Sequence, residues 1–253
     1  DLMKIRTGSF NIVFPNVLDM RENLFNLEKV FSNFMSPFNL MPIPNEAPPE
    51  FPRITATSKN GHSQLMVSGN NVQVTTMFDS HFWKDLTSCF SYMEDMRDKI
   101  LASLSLFGLE HENELTFYYS GLNMQIEFSG DDGIDDPVSF IAGRFFKGSI
   151  SQSIKDIAFR TTLTVDDTYF INVEISNHRF LEGAQIVPGS LYGMKETSHT
   201  LTVNIDINDR LAFNTKNAYL STKDTPKKIF ELSKKFITES LPVLIERGDI
   251  VYV

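Results

Sequence analysis

Four aspartates crowd six positions in "SGDDGIDDP", residues 129–137: Asp131, Asp132, Asp135 and Asp136. Such a stretch can cage a hard cation, supply paired carboxylates for acid–base work, or turn the chain. A calcium loop of the EF-hand kind needs oxygen ligands at alternating positions and a bidentate Glu at the twelfth. Counted from Asp131 the twelfth residue is Ala142, and the pattern fails. Asp136 directly before Pro137 matches a helix N-terminus, where a carboxylate caps free N–H groups and meets the positive end of the dipole. Gly130 and Gly133 supply turn geometry. The stretch is read as a turn and cap between two halves of the chain.

Other chemistry is equally sparse. The histidines His62, His81, His111, His178 and His199 show no H-x-H or H-x3-4-H spacing, so no metal site is expected. Cys89 is the one cysteine, which leaves neither an intramolecular disulfide nor a cysteine zinc cage. It falls on the apolar stripe of a helix and is expected in the core, not as a nucleophile. There is no G-x-S-x-G, no P-loop and no G-x-G-x-x-G, and no cofactor is expected. A nuclease-like acid and E-x-K pair is approached only by Asp167 with "EIS" at Glu174–Ser176, where serine replaces lysine; a turn Asp and a solvated strand Glu explain both. Asp206 in "NIDIND" and Glu127 in "LNMQIEF" sit on polar faces of alternating strands and are expected at the surface.

A chain of 253 residues with a net charge of −9 builds one large domain or two modest ones. The negative charge argues against a nucleic-acid face, because phosphate contacts need clustered Lys and Arg. The pairs Lys227–Lys228 and Lys234–Lys235 are read as one solvated helix face. Phenylalanine is frequent, 22 against seven Tyr and one Trp, and it buries area without needing a polar partner. No apolar run is long enough to cross a membrane, and the single cysteine suggests a reducing, cytoplasmic setting.

The elements that must position any site can be read from periodicity. "SFNIVF" alternates as a strand, and "RENLFNLEKVFSNFM" carries a helical stripe ending near Pro37. "SPFNLMPIPNEAPPEFP" is too proline-rich for a helix or a central strand. It is read as a surface connection pinned by its Phe and Met, the alternative being a segment for a proline-reading partner. Pro42, Pro44, Pro48, Pro49 and Phe51 are its candidate partner-binding residues. "RITATS" and "SQLMVS" form a hairpin about Asn60-Gly61, followed by "VQVTTMF". A long helix, capped by Asp79 or Ser80, closes at Gly108. "NELTFYYS" and "LNMQIEF" are strands, "PVSFIAGRFF" a short helix, and "IAFRTTLTV" with "TYFINVEIS" a hairpin about Asp166-Asp167. An irregular segment is expected over 177–198, then the strand "HTLTVNIDI". The last helix starts at Thr225-Pro226 and kinks or restarts at Pro242; "DIVYV" closes as a strand.

Clustered strands and helices predict an α+β fold with mainly antiparallel sheet and two long amphipathic helices. Residues 1–130 and 131–253 are expected as two similar α+β lobes, the alternative being one continuous domain. "PRITATSKNG", "VQVTTMF", "FWKDL", "LTVNIDI" and "KKFITESL" occur in an order that resembles a sporadically distributed, uncharacterised family of prokaryotic proteins of about this length. The chain departs from that family in "ELTFYYSGLNMQIEF", which has no arginine where an Arg-rich strand is usual. The resemblance implies an architecture and no catalytic residues, and its scattered occurrence suggests a link to defence or mobile elements. The expected function is a non-enzymatic binding protein with a protein partner, acting through its sheet face or the proline segment and able to form homo-oligomers. The alternative is an enzyme or ligand carrier with an apolar pocket between helix and sheet.

Overall fold

Strands with a period of two place every second side chain on one face, and here those faces merge into one nine-stranded sheet in which each pairing is antiparallel. The computed structural model describes residues 3–80, 85–146 and 153–250. In chain order the strands of the sheet are β1 (Lys4–Val13), β2 (Met35–Leu40), β3 (Pro52–Ser58), β4 (Ser63–Ser68), β5 (Asn71–Met77), β8 (Tyr119–Phe128), β9 (Ala158–Val165), β10 (Tyr169–Glu182) and β11 (Lys195–Asn208). Their spatial order is β2-β3-β4-β5-β1-β8-β11-β10-β9, and the short strands β6 (Glu110–His111), β7 (Glu114–Phe117) and β12 (Ser221–Thr222) form a separate small sheet. β8 joins the five strands that end at β1 to the three that begin at β11, so hydrogen bonding runs without a break from one half of the chain to the other.

One face of this sheet is apolar and carries the helices. These are α1 (Leu24–Phe31), α2 (Leu86–Leu104), α3 (Pro137–Phe145), α5 (Asp224–Lys235) and α6 (Leu241–Arg247). A short α4 (Arg210–Thr215) follows β11 directly. α2 lies over β1 and β5, α5 over β8 and β11, and α3 over β9, β10 and β11. The Phe content goes where its chemistry sends it: Phe10, Phe14, Phe31, Phe90, Phe117 and Phe230 are all fully buried, each contributing about 1.5–3 kcal/mol by leaving water. Phe230 from α5 meets Phe10 of β1 edge-on at 5.4 Å, and the Arg97 guanidinium of α2 lies 4.8 Å above its ring. β1 and α2 approach so closely that a Cβ on Gly8 would stand 2.2 Å from the Met93 sulfur.

Local signals act as their chemistry dictates. Gly61 takes φ 78° in the β3–β4 turn, and Asp166 and Asp167 both take positive φ between β9 and β10. Asp136 caps α3, accepting from the N–H groups of Val138 and Ser139 with Pro137 in the first turn, and Gly108 ends the α2 segment in the left-handed region. Within "SGDDGIDDP", the N–H of Ser129 donates to Asp132 and closes a short 3-10 turn.

Several expectations are corrected. α2 starts at Leu86 with Asp85 as its cap, not at Asp79 or Ser80, and the residues of "FWK" lie outside those described. The first helix is shorter than its stripe, because a separate 3-10 turn takes residues 20–23 and α1 stops at Phe31. Thr225 is not the cap of α5, which begins at Asp224 and holds Pro226 in its first turn, where a proline costs no helical hydrogen bond. The segment 177–198 is irregular only in its middle: β10 continues to Glu182 and β11 begins at Lys195, which leaves 183–194 outside the strands. Of the two outcomes expected at Pro242, a kink or a restart, the helix shows the second: α6 begins at Leu241 with Pro242 in its first turn, after a π-helical turn over 236–240. Residues 251–253 of the expected closing strand lie outside those described.

Candidate polar site on the open sheet face

Among the described residues the second face of the sheet is covered by a helix only at one end, where Phe213 and Arg210 of α4 lie 5.2 Å from the Tyr119 ring, and the rest is built largely from short polar side chains. Register alone places Thr57, Gln64, Thr75, Ser9, Asn123, Asp206, Asn172 and Thr162 side by side, one from each of eight consecutive strands. A neighbouring row runs Thr7, Gln125, Asn204, Glu174 and Arg160. The other neighbour runs Gln73, Asn11, Gly121, Asn208 and Phe170. A side chain at Gly121 would press on Asn11 and Asn208, with its Cβ 3.2 Å from each.

These groups order one another. Thr162 Oγ1 donates to Asn172 Oδ1 at 2.8 Å, and Asn172 Nδ2 donates to Asp206 Oδ2 at 3.1 Å. Asn208 Nδ2 donates to the same oxygen at 2.9 Å. On the far side of the face the Ser9 and Thr75 hydroxyls bond at 3.0 Å, and Gln73 Nε2 donates to Ser9 at 2.9 Å. Asp206 is half-buried, and that burial raises its carboxyl above the ordinary aspartate value against the opposing pull of Asn172, Asn208, Arg210 and Arg160.

Two depressions interrupt the face. One, of about 440 Å³, is lined by Asn123, Arg160, Asn172, Glu174, Asn204 and Asp206. The other, of about 740 Å³, lies where the β10–β11 hairpin outruns β8 and is lined by Arg6, His62, Gln125, Glu127, His178 and Phe180. Glu127 is buried there, 6% exposed, and takes both Nε and Nη2 of Arg6 at 2.8 Å. The His178 ring stands edge-on to Phe180 at 4.7 Å, and His62 Nδ1 is 3.9 Å from Asp79 Oδ2.

Asp206 and Glu127 thus overturn the expectation of solvated strand acids. Both occupy the polar face, but side chains of their own and adjacent strands shield them: Asn208 and Asn172 for Asp206, Arg6 for Glu127. Glu174 is half-buried opposite Arg160, whereas Asp167 sits in the β9–β10 turn, so the fold does not pair the two. Cys89 is 1% exposed, and burial pushes its thiol up to about 12. His62 and His178, unrelated in spacing, share a depression; His199 instead meets Asn177 Nδ2 at 3.2 Å. Among the described residues no group of three or more His, Cys, Asp or Glu is placed to hold a metal. His81 lies outside the described residues.

A buried carboxylate behind the face went unseen in the sequence. Asp209, fully buried at the end of β11, accepts from the N–H of Ser120 at 2.7 Å and the hydroxyls of Tyr219, at 2.8 Å, and Ser221. Burial raises its carboxyl despite those donors. It ties β8 to β12 and is structural.

The proline segment lies elsewhere, at the end of the β3–β4 hairpin remote from His62. Pro42, Pro44 and Pro48 are exposed, Pro49 is half-buried and Phe51 is 51% exposed. Two arginines pin it through main-chain carbonyls. Buried Arg53 donates to Phe51, Ala47 and Pro48 at 2.8, 2.7 and 3.3 Å, and Arg21 reaches Met41 and Ile43. Part of the segment is the edge strand β2, where proline is tolerated because no outer neighbour needs its N–H.

No family model matches the chain, and no curated protein matches it.

Proposed function

We propose that the chain is a non-enzymatic binding protein whose open sheet face receives a polar surface of a protein partner. The row from Thr57 to Thr162 carries this reading. Short Asn, Ser and Thr side chains already held by one another lose little rotamer freedom on binding, and they present donors and acceptors at the ~4.7–4.9 Å spacing of strands. A face meant only for solvent has no need of shielded acids such as Asp206 and Glu127. The proline segment, with Phe51 at its end, is a second contact in the same proposal.

Membership of the prokaryotic family, a cytoplasmic setting and a defence-associated role belong to the same proposal. So do two similar lobes, divided before β8 rather than at residue 131: β1, α1, the β3-β4-β5 meander and α2 have counterparts in kind in β8, α3, the β9-β10-β11 meander and α5, in mirrored order across the β1–β8 pair. Partner capture from a prokaryotic lysate tests the site. Asn123→Arg is expected to abolish a capture that replacing residues 42–49 by a Gly-Ser linker only weakens. Undiminished capture by a folded Asn123→Arg variant would sink the sheet face as the site.

The ligand-carrier reading rests on a separate observation. An apolar pocket of about 310 Å³ lies between α3, α6 and the end of β8, lined by Met3, Phe128, Ile134, Phe140, Leu241 and Ile245. Ile134→Trp would fill it, and loss of binding of an apolar dye on that substitution is its check.

A further inference from the structure

The two edges of the large sheet are built differently. On β2 the register with β3 slips between Met35 and Phe38, Pro37 withholds a donor, and the proline segment follows at once. Such interruptions blunt an edge against pairing with another chain. β9 has none of them. Its eight residues, "AFRTTLTV", contain no proline and no lysine, pair with β10 without a register shift, and alternate regularly. The chain enters β9 along the line of β10, with the carbonyls of Ile157 and Lys155 taking the N–H of Asn177 and the Arg179 guanidinium. Among the described residues no strand lies on its outer side. The first half of the chain has β2 outside β3; the corresponding place outside β9 is open.

We propose that β9 pairs antiparallel with β9 of a second copy about a two-fold axis at Thr161, joining two sheets into one. The strand is complementary to itself in that register. Phe159 meets Leu163 of the other copy on the helix-bearing face, Thr161 meets Thr161, and Arg160 meets Thr162 on the polar face. Same-face residues meet only when the register keeps their parity, and this one does. Arg160 is opposite Glu174 in its own sheet, so each of the two arginines near the axis has a carboxylate on the neighbouring strand. Beneath the edge, Phe145 stacks on Phe159 at 4.7 Å while Phe146 is left 51% exposed. The second copy would cover that ring. The polar row then continues from Thr162 onto Arg160 of the second copy, making one surface from two chains.

Sedimentation velocity of the full chain tests this without any knowledge of a binding partner. A dimer is expected at about 100 µM, by mass action. Thr162→Lys sets like charges opposite Arg160 twice and should weaken dimerisation about tenfold. Thr161→Cys should cross-link with a short bis-maleimide, while Asn39→Cys on the β2 edge should not. A wild-type chain that sediments as a monomer, or a dimer indifferent to Thr162→Lys, overturns the proposal.

Discussion

The Arg6 guanidinium meets the Glu127 carboxylate as a fork, Nε to Oε2 and Nη2 to Oε1, both at 2.8 Å. The pair crosses from β1 to β8 where the β1 register shifts between Ile5 and Thr7. That shift turns a residue of β1 toward the acid, and the two-bond geometry suits arginine and not lysine. The side chain of Arg6 is 42% exposed and that of Glu127 8%, so the pair stands between a surface bridge and a buried one. Arg6→Ala is expected to cost about 1–3 kcal/mol in urea unfolding, mostly from the stranded carboxylate. Adding Glu127→Gln should recover part of that loss. Additive effects of the two substitutions would show that the fork contributes nothing.

Asp206 predicts a pH dependence of known sign. Its folded value is raised from 3.8, so above pH 3.8 the folded chain keeps a proton that the unfolded chain releases. The stability attached to this group is complete below that pH and is lost as pH rises through the folded value. Asp209 slopes the same way. Asp206→Asn should therefore show a shallower fall in thermal midpoint from about pH 4 to pH 7 than the wild type. An identical slope would mean that Asp206 titrates as a solvated acid.

Asp209 serves three donors at once. Asp209→Ala leaves the buried Ser120 N–H without its acceptor and takes from the Ser221 and Tyr219 hydroxyls the carboxylate they share, and should cost about 2–4 kcal/mol. Tyr219→Phe removes one donor and should cost about 1 kcal/mol. If denaturant titration places both substitutions within experimental error of the wild type, the network does not hold β12 to β8.

Cys89 serves as a native reporter of opening. Buried, with its thiol raised to about 12, it should resist a maleimide in the folded chain at neutral pH. Its labelling rate should follow unfolding as urea rises, and prompt labelling without urea would contradict the packing of α2.

What was legible in the sequence was local. Asn60-Gly61, Asp166-Asp167 and the Asp136-Pro137 cap act within two or three residues of themselves, and each behaves in the fold as its side chain requires. Where partners were distant, the reading failed. Glu127 lies 121 residues from Arg6, and Asp206 lies 34 from Asn172. Alternation assigned both acids correctly to the polar face but could not show that neighbouring strands would shield them. The same limit applied to 177–182 and 195–198, whose side chains are exposed or half-buried, so that the two strands are specified by each other and not by a core. The polar row itself is a product of register across eight strands, which no window along the chain contains.

Strand β8 has β1 on one side and β11 on the other, and the chain supplies these neighbours at very different times. When Phe128 leaves the ribosome, six strands can pair, and the growing sheet ends at β8 with Leu122, Met124 and Ile126 lacking α5 above them. The strand that completes it ends only at Asn208, roughly 4–16 s later at about 5–20 residues per second. Through that interval the nascent chain displays an unpaired strand edge and a strip of bare core, both open to pairing with another chain until β11 arrives.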